Sequence, residues 1–311
     1  MISAYRRITF LLAAFVLLAG CSSRSSDIQR QTTAQGITPQ TSPASTTTIS
    51  TTPDTLTSNS GTLSVYFIDV GQGDSEILRY GNSAMLIDAG TNASANSLIN
   101  TIKAMGITKF DVVVATHPHE DHIGVLDAVI NQFGIGKIFM TNATTTTKTF
   151  QDVLFAIKNK GLTVTAPTTG TVFYLGNVQC TIFAPNSQTY DDLNNYSIVI
   201  RAVYGNTSFL FTGDAQVESE QEMLSKGYNL KSDVLKVGHH GSNTATSPNF
   251  LNAVSPKYAV ISVGAANVYG HPHQVTLQKL AAAGVKVYRT DLNGTITVTS
   301  DGSNLNFGTA R

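Results

Sequence analysis

Two hydrophobic periods alternate along this chain. Short runs that are apolar throughout, or at every second position, predict strands, and longer segments with apolar residues three and four apart predict helices. The first strand is predicted over 63–70 and runs into the turn Gly71-Gln72-Gly73-Asp74. A hairpin follows, with arms at 75–80 and 83–87 about Gly81-Asn82, a dipeptide suited to a tight turn. A helix over 95–105 stops at Gly106, a buried strand covers 110–115, and a helix covers 123–133. Next come a strand at 137–140, a helix over about 148–160, and strands at 163–166, 172–175 and 178–183.

The second half opens on another hairpin, with arms at 197–204 and 208–211 about Gly205-Asn206. A helix at 216–225 and a strand at 233–237 follow, then a helix opened by Ser247-Pro248 and a strand at 258–263. A last helix over 274–283 leads to strands at 285–288, 295–299 and 305–307. Each half thus runs hairpin strands into a strand–helix alternation and leaves His and Asp residues at strand ends. This order predicts an α/β fold of two similar halves. The expected architecture is a four-layer αββα sandwich, with the site where the loops of both sheets meet.

The ends of the chain add an address. Arg6 and Arg7 precede the apolar run 8–18, which is too short for a comfortable membrane span, so residues 1–20 read as a signal peptide. Leu18-Ala19-Gly20-Cys21 resembles the bacterial lipobox, which implies cleavage before Cys21 and a lipid on its thiol. The mature chain is then expected to be exported and lipid-anchored to the extracytoplasmic face of the bacterial membrane, with no transmembrane helix. Residues 21–61 are rich in Ser, Thr, Gln and Pro and poor in large apolar side chains, the composition of a disordered tether. Residues 62–311 remain for the folded, catalytic domain.

With Cys21 acylated, Cys180 has no partner for a disulfide, and its place in the alternating run 178–183 suits a small core hydrophobe. The chain has twenty basic and twenty acidic residues; losing Arg6 and Arg7 with the signal leaves a net charge of −2. That balance counts against strong non-specific binding of duplex DNA.

The chemistry concentrates in Thr116-His117-Pro118-His119-Glu120-Asp121-His122, directly after the apolar strand 110–115. Four ligand-type side chains fall within six residues, where a strand gives way to a helix. His117 and His119, two apart, share one cation, while Asp121 and His122 turn the corner towards a second. Such spacing suits a two-metal hydrolytic site.

Together with Asp88 upstream, Asp214 downstream and the turn Gly238-His239-His240-Gly241, this loop resembles the metallo-β-lactamase fold superfamily over essentially residues 63–308. More narrowly, four motifs are similar to the soluble hydrolase domain of ComEC-type competence proteins. They are Asp69-Val70-Gly71-Gln72-Gly73-Asp74, Leu86-Ile87-Asp88-Ala89-Gly90, Val237-Gly238-His239-His240-Gly241-Ser242 and Tyr269-Gly270-His271-Pro272. The resemblance implies two divalent metal ions, zinc or manganese, with His117 and His119 on the first, Asp121 and His122 on the second, and Asp214 bridging. Of the adjacent His239 and His240, one would bind the second metal and the other touch substrate, with His240 favoured as the ligand. Many members of the superfamily carry a further histidine just before the strand that starts here at Ser197. This chain has Leu193-Asn194-Asn195-Tyr196 instead, so an asparagine such as Asn195, or water, is expected to complete the first shell.

Asp88 is expected to orient the histidine loop by hydrogen bonding. Gln72 and Asp74 fit either a site wall or plain turn chemistry. His271, beside Tyr269, fits either protonation of a leaving group or a grip on phosphate. The function so implied is a metal-dependent hydrolase of phosphodiesters, acting on extracellular nucleic acid or on an envelope polymer such as a choline-phosphate-bearing teichoic acid. Asp121 and His271 are its catalytic candidates. A lactamase- or lactonase-like hydrolase and a non-catalytic surface binding module are the other classes the fold allows.

Overall fold

The computed structural model describes residues 61–311. The expected signal peptide, the acylated Cys21 and the tether up to residue 60 lie outside the described residues. Among the described residues no helix is long and apolar enough to cross a membrane.

The strands form two sheets. The first has eight strands in the order Leu305–Thr309, Ile296–Ser300, Leu63–Phe67, Glu76–Tyr80, Ser83–Ile87, Lys109–Ala115, Gly134–Met140 and Val164–Thr165. The second has seven, in the order Lys286–Arg289, Tyr258–Ile261, Val234–Lys236, Thr207–Phe211, Val199–Tyr204, Val178–Ala184 and Val172–Leu175. In each sheet an antiparallel hairpin passes into parallel strands: Ser83–Ile87 runs parallel to Lys109–Ala115, and Thr207–Phe211 parallel to Val234–Lys236. Both hairpins close tightly, with Tyr80 opposite Ser83 and Tyr204 opposite Thr207. Gly205 has φ +58°, and a Cβ there would meet the Gly302 carbonyl oxygen at 2.4 Å, so no other residue fits that turn unstrained.

Three apolar layers hold the sandwich together. Leu63, Val65, Phe67, Met85 and Ile87 of the first sheet meet Ile200, Ala202, Phe209 and Phe211 of the second, with the Phe67 and Phe211 rings stacked at 6.0 Å. Cys180 lies in this middle layer, and burial pushes its thiol up to about 12, as fits a packing residue. The opposite faces of the same strands turn outwards. Leu86 and Val113 pack under the helices Ala95–Ala104, Leu126–Gln132 and Lys148–Asn159, and Leu210 and Leu235 under Val217–Ser225, Pro248–Val254 and Gln274–Ala282. Strands buried on both faces explain why the sequence shows continuous apolar runs. The αββα order and the internal repeat follow.

Two local departures bear on the site. The helix expected over 123–133 is two pieces, Glu120–Ile123 and Leu126–Gln132. Gly124 donates its N–H to the Gly90 carbonyl at 2.7 Å, and the His122 carbonyl accepts from Ala89 at 2.6 Å, so the turn after Asp88 takes backbone groups a helix would use. A Cβ on Gly124 would strike Asn92 N at 2.3 Å, so the approach needs glycine there. The final hairpin, Ile296–Ser300 with Leu305–Thr309, pairs with Leu63–Phe67 of the first sheet, crossing back from the second half.

Candidate metal centre

Equivalent strand ends of the two halves supply the site. Asp88 follows Ser83–Ile87, and Asp214 follows Thr207–Phe211; the His117 loop follows Lys109–Ala115, and the His239-His240 turn follows Val234–Lys236. They converge on one atom. Asp214 Oδ2 lies 3.2 Å from His122 Nε2, 3.5 Å from His240 Nε2, 3.8 Å from His117 Nε2 and 3.9 Å from His239 Nε2. Asp121 Oδ2 adds a second carboxylate, 3.2 Å from His240 Nε2.

The supporting bonds fix which ring nitrogen faces inwards. Asp88, itself at φ +56°, accepts from Thr116 N at 2.8 Å and from Thr116 Oγ1 at 2.6 Å, and it lies 2.7 Å from His122 Nδ1. His122 therefore holds Nδ1–H towards Asp88 and turns Nε2 to Asp214. The same hydroxyl, its proton spent on Asp88, lies 3.1 Å from His117 Nδ1 and accepts from it. His240 Nδ1 sits between the Ser262 carbonyl at 2.9 Å and Asp74 Oδ1 at 3.2 Å.

His239 and His240 both adopt left-handed backbone angles, φ +49° and +52°, at a cost of roughly 1–2 kcal/mol each for side chains with a Cβ. The expectation gave the two rings separate roles, one on metal and one on substrate. The left-handed turn brings both Nε2 atoms to Asp214, and His240 alone of the two also meets Asp121.

Charge in the cluster favours cations. Burial pushes Asp214 up, but His122 and His240 outweigh it and hold the carboxyl well below the usual range. Asp121 is lowered likewise: burial raises it, and His122 and His240 prevail. Burial alone would lower His122 and His240; Asp214, with Asp88 for one and Asp74 for the other, lifts both well above the ordinary imidazole value. His117 moves the opposite way, lowered by burial and by the neighbouring His122.

The donor set fits a metal. Asp121, His122, Asp214 and His240 each offer a ligand atom, all within 4.8 Å of one another. His122 Nε2 and Asp214 Oδ1 are buried without a hydrogen-bond partner, an unmet demand that a cation in place of the ring proton would satisfy. His117 Nε2 and His119 Nδ1 approach to 3.0 Å and form a second, thinner pair beside Asp214.

Asn195 does not complete that pair. Its Oδ1 accepts from Gln216 N at 3.0 Å and its Nδ2 donates to Glu218 at 2.9 Å, so both ends tie down the start of the helix Val217–Ser225. Its neighbour Asn194 lines the cavity instead and has a buried Oδ1 without a partner. The cavity measures about 530 Å³ and is lined by His119, Asp121, Asp214, His239 and His240 with Gln72, Glu120, Thr147, Tyr269 and His271.

Gln72 is a site wall: its Oε1 accepts from Gly264 N at 3.1 Å and its Nε2 is unpaired. Asp74 is neither wall nor turn, being fully buried beneath the cluster against Lys236 and His240. Tyr269, 60 % exposed, stacks on His271 at the mouth. Burial, then His240 and His239, lowers His271 to about 4. A neutral ring at physiological pH suits a grip on an oxygen better than proton donation to a leaving group.

Comparison with known proteins shows the family. Residues 68–265 match the metallo-beta-lactamase superfamily. The chain belongs to that superfamily. It is 34 % identical over 250 residues to ComE operon protein 3 of Bacillus subtilis, covering 75 % of this chain and 32 % of that protein. It is also 34 % identical over 258 residues to Competence protein ComA of Neisseria gonorrhoeae, covering 78 % of this chain and 33 % of that protein. The chain thus spans about a third of the length of these curated relatives. In solved structures, the fold matches the metallo-beta-lactamase fold protein YhfI of Bacillus subtilis, with a TM-score of 0.51 and 12 % identity over 80 % of this chain and 100 % of that one. It also matches CmlA, a diiron beta-hydroxylase of Streptomyces venezuelae, with a TM-score of 0.53 and 12 % identity over 76 % of this chain and 53 % of that one.

The sequence alone did not single out Lys236 or Ser197, whose hydroxyl accepts from Asp214 N at 3.0 Å and lies 3.3 Å from His117 Nδ1. Lys236 did leave a signal, a charged residue inside the apolar run Val234-Leu235-Lys236-Val237.

A pH dependence follows for this superfamily member. Since His122 and His240 have raised folded-state values, their protons stabilise the metal-free fold below about 6.5, and that contribution is lost as pH rises through the raised values. A metal must displace the same protons, so its affinity is expected to rise with pH above 6.5. Calorimetric titration in buffers of different ionisation enthalpy should record protons released at neutral pH; a titration releasing none would contradict the charge states given for these rings.

Proposed function

We propose that the protein is a metal-dependent phosphodiesterase working on the outer face of the cell membrane, with two divalent ions, zinc or manganese, in the cluster around Asp214. The carrying observation is the convergence of four imidazole Nε2 atoms on Asp214 Oδ2, within 3.2–3.9 Å. In this reading Asp121, His122 and His240 would hold one ion and His117 and His119 the other, with Asp214 within reach of both sets. Asn194, with its unpaired Oδ1, takes the place first given to Asn195. Bound there, the ions supply Lewis acidity and neutralise charge on a phosphoryl group.

The chain's own residues do the positioning. Asp88 and Thr116 hold the rings of His122 and His117, and the Ser262 carbonyl and Asp74 hold His240. Gln72 Nε2 and the neutral His271 ring stand at the cavity as donors for substrate oxygens, and Asp121 carries negative charge facing the reacting group. Tyr269 offers an exposed ring at the mouth for a flat or apolar part of the substrate. The names of the competence relatives favour nucleic acid among the phosphodiesters, with an envelope polymer the remaining choice. The lipobox at Cys21 supports the location.

Full-length protein supplied with Mn²⁺ or Zn²⁺ is expected to hydrolyse an aryl phosphodiester and oligonucleotides. Asp121→Ala is expected to remove that activity while leaving the thermal transition in place. Turnover of nitrocefin alone, or an undiminished Asp121→Ala variant, would reverse the reading.

A further inference from the structure

Beneath the metal cluster the two sheets are joined by charge where the neighbouring layer is apolar. Lys236, 1 % exposed, ends the strand Val234–Lys236 of the second sheet and places Nζ 2.7 Å from Asp74 Oδ2, beside the first sheet. Nζ also donates to the Val237 carbonyl at 3.0 Å. The other oxygen of Asp74 lies 3.2 Å from His240 Nδ1. Glu76, 1 % exposed, accepts from Ser262 Oγ at 3.4 Å, and Ser262 presents its carbonyl to His240 Nδ1.

A lysine and two carboxylates in this layer are costly, since apolar side chains of similar volume are commonly as stable or more so than a buried ion pair. Their position directly beneath the His240 ring suggests a role that packing alone does not give. We infer that the Lys236–Asp74 pair is a positioning device for His240: Lys236 Nζ, 2.7 Å away, anchors the Asp74 carboxylate 3.2 Å from His240 Nδ1, where it backs the Nδ1–H bond to the Ser262 carbonyl that turns Nε2 towards the metal. The inference rests on the metal-site reading above.

The charge states agree with the geometry. Burial pushes Asp74 up and Lys236 down, but each is overcome by its partners, so Asp74 is lowered and Lys236 raised. Burial, then Asp74, raises Glu76 well above the carboxylate range. One carboxylate therefore lies beside His240 Nδ1, with the Lys236 ammonium at its other oxygen.

The test is a double-mutant cycle on the full chain: Lys236→Met, Asp74→Asn and the pair together. Thermal melting is read beside Zn²⁺ and Mn²⁺ affinity by competition titration. Each single variant leaves a buried charge or an unbalanced network and is expected to melt lower, by roughly 10 °C for Asp74→Asn. The double variant, neutral and nearly isosteric, is expected to recover the wild-type melting temperature or exceed it. Its affinity at the tighter site should nevertheless stay about 10–100-fold weaker, as for lost partners of metal-binding histidines. A purely structural pair would move both readouts together, so a double variant that regains wild-type affinity with its stability overturns the inference. Wild-type protein that binds neither metal overturns the metal-site reading itself, which separates the two failures.

Discussion

Replacing Asp214 with alanine is expected to empty both halves of the site at once. No other carboxylate stands within 4 Å of four imidazole nitrogens among the described residues; Asp121 reaches His240 and His122, and Asp74 and Asp88 support rings from behind. The loss should cost several kcal/mol of transition-state stabilisation, about 10³-fold or more in kcat/KM. Metal content should fall with it. Steady-state kinetics on an aryl phosphodiester, with elemental analysis of the same preparation, checks both; a variant with near wild-type turnover would remove Asp214 from the centre of the account.

Asp88→Ala is the second large effect, and it separates support from ligation. The side chain does not line the 530 Å³ cavity yet accepts from Thr116 N, Thr116 Oγ1 and His122 Nδ1, all buried. Its removal strands those donors, at roughly 3 kcal/mol or more of stability. It also frees the His122 ring, for an expected 10–100-fold loss of metal affinity. Asp88→Asn keeps a side chain tolerant of φ +56° and should melt closer to wild type while still binding metal more weakly. Equal metal affinity in Asp88→Ala and wild type would show that His122 needs no such anchor.

Much of this was legible in the chain because residue type and spacing were both unusual. The 117–122 loop announces itself by its density of ligands after an apolar strand, and the strand ends carrying Asp88, Asp214 and the His239-His240 turn follow from the repeat of hairpin and parallel strand. Conformational detail was not legible. Whether Asn194 or Asn195 faces the cavity depends on one step around the turn Leu193–Tyr196, and two identical side chains in a row carry no mark of it. The common approach of His239 and His240 to Asp214 depends on two left-handed residues that the flanking glycines do not themselves dictate. Lys236 and Asp74 are far apart in sequence, one ending a strand of the second sheet and the other in the turn that enters Glu76–Tyr80 of the first, so their pairing exists only once the sheets face each other. The same holds for the last hairpin, whose alternation predicts strands but not the sheet they join.

Metal stoichiometry tests most directly the proposal that Asp214 serves two ions at once. Elemental analysis of full-length protein loaded with Mn²⁺ or Zn²⁺ and freed of excess should find two ions per chain, and fewer than one in Asp214→Ala. Wild-type protein that retains no divalent ion, or an Asp214→Ala variant that retains two, would contradict it.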